Sequence, residues 1–174
     1  DATGDVKYLS ANGDYENDQG ATAEGDFATA VGSGASALDF GATAFGSGAF
    51  ALGEYATAAG FNSLASAKWA TAYGVGSQAT GQSAVAVGGQ MVVINGSTWE
   101  EEIWSTEASG QESTAIGTAA RATNYGSTAI GVVSEASGET STAIGAASTA
   151  RGDWAVAVGG ESRAYGVFST ALGN

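Results

Sequence analysis

The chain has no cysteine, no proline and no histidine. Without cysteine it has no disulfide framework and no thiolate chemistry, and cysteine usage leaves its compartment open. Without histidine it lacks the commonest general base and the commonest metal ligand. Basic residues are few: Lys and Arg total 5 against 18 acids, for a net charge of -13. A surface of that sign repels nucleic-acid phosphates and anionic lipid, so neither is expected as a partner. Long apolar runs are missing too. None approaches the ~20 residues of a bilayer span, so this stretch is not expected to insert in a membrane. No basic, apolar signal segment opens the chain at Asp1.

What is present is glycine, 28 residues of it, on a fixed period. An Ala-x-Gly signature closes on Gly32, Gly46, Gly60, Gly74 and Gly88, each 14 residues after the last. It returns at Gly117, Gly131, Gly145, Gly159 and Gly173, again 14 apart. The step from Gly88 to Gly117 is 29, two periods plus one, so the register breaks once. A period kept across most of a chain signifies stacked repeats.

Within each period small and larger residues alternate. Ala30, Ala44, Ala58, Ala72 and Ala86 stand two before the marker glycine, and Ala28, Ala42, Ala56, Ala70 and Ala84 stand four before it. Between and after them come Thr29 and Val31, Thr43 and Phe45, Thr57 and Ala59, Thr71 and Tyr73. Alternation of period two is a strand with two unlike faces. After the glycine a second short alternation follows, as in Ala35 and Ala37 or Ala49 and Ala51. Seven residues past the marker, most repeats carry Gly, Asn or Asp, from Asp39 and Gly53 to Asn124 and Gly138. Those types tolerate positive φ, which predicts a left-handed corner there; Ala67 is the exception. Two strands and two turns in 14 residues make a very small coil whose inside admits only Gly, Ala and Ser. The fold class expected is all-β, a single-chain β-solenoid of ten coils with parallel pairing between coils. At a strand spacing of ~4.8 Å it forms a rod roughly 50 Å long.

Residues 1–24 precede the repeats as a lead-in strand, Asp5–Leu9, and an acidic loop with Asp14, Glu16 and Asp18. The spaced carboxylates lack the glycine and the closing glutamate of a calcium hand, so the loop is read as solvated and no metal is assigned. Residues 25–174 carry the repeats, interrupted at 89–110. There Met91 to Trp99 reads as a hairpin with an Asn95-Gly96 turn, followed by Glu100, Glu101, Glu102, Ile103 and Trp104. An excursion that leaves the repeat intact on both sides projects from it, which makes Trp99, Glu100, Glu101, Glu102 and Trp104 the candidate ligand-facing residues. Against this stands a tolerated insertion whose tryptophans pack on the rod or a neighbour. Asn95-Gly96-Ser97 also fits the N-glycosylation acceptor pattern. Arg121, Arg151 and Arg163, with Glu135 between them, are read as solvated partners of carboxylates. Phe27, Tyr55, Trp69, Trp154 and Phe168 sit five before their markers, beside a turn, to pack at corners or between chains, or to form a sticky outer surface.

An interior of Ala and Ser buries little apolar area, at ~0.8 kcal/mol per CH₂, against ~1–2 kcal/mol per residue for ordering the backbone. The larger column supplies the missing burial only if it is covered. Val31, Phe45, Tyr73, Val87, Ile116, Ile130, Ile144, Val158 and Leu172 lie on one side of the solenoid. Left bare they form a long apolar stripe, and the simplest cover is the same stripe from other copies. The period does not say whether two or three copies meet.

Ser141-Thr142-Ala143-Ile144-Gly145-Ala146-Ala147-Ser148-Thr149-Ala150-Arg151-Gly152 resembles the YadA-like head repeat of trimeric autotransporter adhesins, and Lys7-Tyr8-Leu9 with Asn12 resembles the segment that opens such heads. The resemblance implies a left-handed parallel β-roll and a homotrimer with the Val/Ile column at its centre. It also implies display from the outer membrane of a Gram-negative bacterium, with a stalk and anchor beyond residue 174. The expected function is the head of a surface adhesin that attaches to host matrix, cells or surfaces. The family has no shared ligand site to carry over. No enzyme constellation and no phosphate-loop signature is visible, so neither catalysis nor a cofactor is expected. Two other readings stand beside it. The Thr ladders Thr29, Thr43, Thr57, Thr71 and Thr114, Thr128, Thr142 could face ice, or the chain could be a segment of a trimeric phage fibre.

Overall fold

The computed structural model describes residues 20–95 and 100–173. The lead-in strand Asp5–Leu9, the acidic loop, Trp99 and the Asn95-Gly96-Ser97 acceptor beyond Asn95 lie outside the described residues. All described regular structure is β. Two ten-stranded parallel sheets lie back to back. The marker sheet collects three-residue strands that end just before each marker glycine, from Thr29–Val31 to Thr170–Leu172. The return sheet collects two-residue strands, from Thr22–Ala23 to Arg163–Ala164. The chain alternates between them, so each coil contributes one strand to each sheet and pairs in register with the next coil: Thr43 with Thr57, Ala44 with Ala58, Phe45 with Ala59.

The parity of each strand sends alanines inward. Ala42, Ala44, Ala49 and Ala51 are fully buried, and the same four places recur from coil to coil as Ala or Ser, with Thr106 the exception. The space between the sheets admits one small side chain per position; among the described residues the largest fully buried side chain is Thr106. Buried serines cost little because their hydroxyls are satisfied locally. Ser63 donates to the Gly60 carbonyl at 3.0 Å, and Ser141 donates to that of Gly138 at 2.7 Å. With so thin a core, cohesion along the rod comes from main-chain ladders: Thr43 N–H donates to Ala56 O at 2.8 Å and Gly46 N–H to Val31 O at 2.8 Å.

The marker glycines are required twice over. At Gly46 φ is 126°, and an added Cβ would sit 2.7 Å from the Gly60 carbonyl oxygen of the next coil. No L side chain suits that backbone or that space. The other corner corrects the sequence reading. Gly53, Gly81 and Gly138 do not adopt the left-handed conformation; it falls two residues later, at Gly41, Tyr55, Trp69 and Ser83, with φ of 63°, 56°, 60° and 57°. Glycine recurs seven past the marker because stacked turns approach there: a Cβ on Gly53 would run into the Ala67 carbonyl. Asp39 and Asn124 serve instead by accepting the next residue's N–H, at 2.7 and 2.8 Å. Ala67 is no anomaly of backbone, because this position demands no positive φ.

The break in register is also simpler than two periods plus one. Val85 pairs directly with Thr114 and Val87 with Ile116, so Gly88 to Gly117 is a single coil carrying an insertion. The inserted residues form an antiparallel hairpin, Met91–Ile94 with Glu101–Trp104, in which Met91 faces Trp104 and Ile94 faces Glu101. The Asn95 N–H donates to Glu100 O at 2.9 Å. Asn95-Gly96 is therefore not the two-residue turn the dipeptide predicts, and the second strand begins at Glu101 rather than before Trp99.

Candidate functional site

Two surfaces carry what the alanine interior cannot. The first is the outer face of the marker sheet. Phe45, Tyr73, Ile116, Ile144, Val158 and Leu172 are exposed, and Val31, Val87 and Ile130 are half-buried, all pointing away from the alanines of the same strands. Phe45 is 58% exposed and Tyr73 62%. The column is continuous because every coil repeats in register: Val87 pairs with Ile116, Ile116 with Ile130, Ile130 with Ile144. One notch interrupts it. Where Ala59 stands between Phe45 and Tyr73, a shallow hollow of about 310 Å³ opens, floored by Gly46, Gly60 and Gly74.

The second surface is the hairpin and the wall it creates. Thr106 anchors its exit. It takes an interior place that other coils give to Ala or Ser, and its hydroxyl lies 2.7 Å from the Gly117 carbonyl and 3.0 Å from that of Gly89. Gln90 Nε2 donates to Ser105 Oγ at 3.3 Å, which ties the two stems. On one hairpin face Glu102 is held from both sides. Asn95 Nδ2 donates to its Oε1 at 3.0 Å and Trp104 Nε1 donates to its Oε2 at 3.2 Å. The Asn95 bond first, and the Trp104 bond second, hold the Glu102 carboxyl below its ordinary pKa by favouring the charged form. The other face carries Val92, Ile94 and Ile103, which are 58%, 59% and 63% exposed, with Glu101 opposite Ile94.

Of the ligand-facing candidates, the structure brings Glu102 and Trp104 into contact on one hairpin face, puts exposed Glu101 on the other face opposite Ile94, leaves Glu100 exposed, and does not describe Trp99. Between the hairpin root and the return sheet runs a groove of about 490 Å³. Ile103 and Trp104 form one wall, Gln78, Glu107, Arg121, Glu135 and Thr149 the floor, and Ala119, Val133 and Ala147 the far corner. Sequence reasoning missed this groove. The spacing reveals that residues are inserted but not the direction in which they lean. Its floor is charged: Arg121 pairs with Glu107 at 3.3 Å, and Glu135 pairs at 3.1 Å with Arg151, which lies beside the groove. Glu135 raises the pKa of Arg151, chiefly through that hydrogen bond.

The turn-side aromatics lie on either side of the hairpin-bearing coil, and two groups of rings touch. Phe27 meets Phe40 edge-on at 5.4 Å, Phe40 meets Tyr55 at 5.3 Å, and Trp154 stacks on Phe168 at 4.9 Å. Tyr55, Trp69 and Trp154 are about half exposed, while Phe27 and Phe168 are more so. Among the described residues no group of three acidic, Cys or His side chains is placed to hold a metal ion.

The comparisons with known proteins agree with this architecture. The model of the YadA head domain repeat matches residues 19–35, 40–63, 65–90, 108–132, 136–153 and 152–174, which is most of the chain and leaves out the hairpin. The structure is similar to the crystal structure of the collagen-binding domain of the Yersinia adhesin YadA, with a TM-score of 0.59 and 27% identity, over 88% of this chain and 70% of that one. No curated protein sequence matches it significantly. With the 14-residue period, the parallel roll and the repeat model in agreement, the chain belongs to the YadA head domain repeat family.

Proposed function

We propose that this adhesin head domain works as a homotrimer at the bacterial surface and attaches its bearer to extracellular matrix or to molecules on host cells. The observation that carries the reading is the apolar column on the outer face of the marker sheet. A roll whose interior is alanine and serine gains little from burial, and an uncovered Ile, Val, Phe and Tyr stripe along its whole length is far beyond a scattered exposed side chain. Three copies around one axis cover Val31, Phe45, Tyr73, Val87, Ile116, Ile130, Ile144, Val158 and Leu172 at once. The notch at Ala59 gives the large Phe45 and Tyr73 rings of neighbouring copies room to interdigitate. Outer-membrane display follows the family. Matrix as partner follows the collagen-binding function stated for the Yersinia domain, together with the projecting Glu100, Glu101, Glu102 and Trp104.

The test is direct. One chain is 17.0 kDa, and sedimentation equilibrium should return three times that mass. The purified trimer should then bind immobilised collagen in a saturable way, and a variant with Glu101, Glu102 and Trp104 all changed to Ala should bind more weakly while keeping its mass. A monomeric mass would leave the Thr ladder and the Ile column open to solvent and would return the ice-binding reading to the front, with thermal hysteresis as its check.

A further inference from the structure

One face of the hairpin is mostly uncovered within the chain; of its aliphatic residues Ile103 borders the groove over the return sheet. Val92 and Ile103 are directly opposed across the two strands, and Ile94 follows two residues along on the same face. All three are about 60% exposed. The opposite face is already committed, with Met91 and Val93 half-buried and Glu102 held between Asn95 and Trp104. A lone two-stranded hairpin is marginal in water, and one with an uncovered aliphatic face more so. We infer that the Val92, Ile94 and Ile103 face of each hairpin seats on a neighbouring copy of this chain, so that the insertion clasps the trimer.

The occupant is a second copy because the hairpin springs from the edge of the apolar column. The first strand begins at Met91, three residues after the marker glycine that follows Val87, a member of that column. Any symmetric assembly that covers Val87 and Ile116 places another protomer beside the hairpin root. Rotational symmetry also brings like levels together. At the hairpin's level the corner five before the marker holds Ser83, Glu112, Gly126 and Thr140, whereas beyond it on either side the corner holds Trp69 and Trp154. The rod is therefore slim where a clasp would pass and bulky where none is needed. At -13 per chain the copies repel one another, so contacts that hold them are expected to be apolar, as the Val92 and Ile103 pair is; Glu101, opposite Ile94, stands at the outer end of the face. The inference rests on the trimer reading, and the experiment separates the two.

Wild-type mass comes first. A monomer would overturn the trimer itself, and with it the clasp. Given a trimer, the absence of native cysteine allows a single Val92→Cys label with a benzophenone photocrosslinker. Illumination should convert a major fraction of chains to covalent dimers and trimers on a denaturing gel; intrachain products alone would overturn the clasp. Independently, V92S/I94S/I103S changes only exposed positions and leaves the alanine interior intact. Proteolysis between residues 91 and 104 should be at least tenfold faster in that variant than in wild type, with the strand circular dichroism of the roll unchanged. Equal proteolysis rates would overturn the proposal. So would a variant with wild-type protection that has lost collagen binding, because the face would then serve a foreign partner.

Discussion

Gly46 illustrates what each residue of the repeat must satisfy. Its φ of 126° and the Gly60 carbonyl 2.7 Å from a would-be Cβ leave no room for a side chain. Gly46→Ala should cost about 2–3 kcal/mol, seen as a drop of several degrees in a thermal melt followed by circular dichroism. Its exposed neighbour Ser47 touches no such limit, and Ser47→Ala should stay within about 0.5 kcal/mol of wild type. A melt in which the two variants coincide would show that the stacked turns yield more readily than their geometry suggests. The aromatics at positive φ are the counter-case. Phe27, Tyr55, Trp69, Trp154 and Phe168 occupy backbone that glycine fills at Gly41 and Gly126, so their rings are kept there against local preference.

At the scale of the element, the hairpin is attached by polar contacts rather than by burial. Thr106→Val keeps the shape of the interior side chain and removes the hydroxyl from the Gly117 and Gly89 carbonyls. The expected loss is about 1–3 kcal/mol for polar groups left without their partner, together with faster amide exchange in Met91–Ile94. The Glu102 clamp gives a pH signature. Its carboxyl is held below the ordinary 4.5 by Asn95 and then Trp104, so the stabilisation it lends is present above 4.5 and disappears as pH falls through the depressed value. Side-chain carboxyl NMR should place the Glu102 midpoint below 4.5, and Asn95→Ala should move it upward. A midpoint unmoved by that change would mean that the amide does not hold the carboxylate in solution.

For the whole molecule the question is what the thin core cannot supply. Two sheets joined over alanine and serine form a rod held mainly by its main-chain ladders, and each coil touches only its neighbours. The outward column then decides assembly. Ile130→Asp would put three carboxylates together at the proposed axis, a penalty of several kcal/mol for charge buried without a partner. The variant should sediment below trimer mass, or hold together only at low pH, where the carboxyls are neutral. A fully stable trimer at neutral pH would mean that the column faces solvent and that the copies meet elsewhere.

Much of this was legible from spacing alone. The 14-residue recurrence specifies coil size, and the small–large alternation specifies which side chains turn inward, because a strand has only two faces and a coil this small admits little more than Ala and Ser. The glycine markers announce the tight turns for the same reason. The sequence did not reveal why glycine recurs seven residues later, since residue type alone cannot distinguish a strained dihedral from a close approach between coils. It did not locate the hairpin's second strand either: Asn95-Gly96 is a strong local turn signal, and the pairing of Ile94 with Glu101 overrode it. The groove beneath Ile103 and Trp104 was beyond its reach altogether. Periodicity encodes neighbours within the stack, but an insertion follows no period, and only tertiary packing decides which face of the rod it leans over.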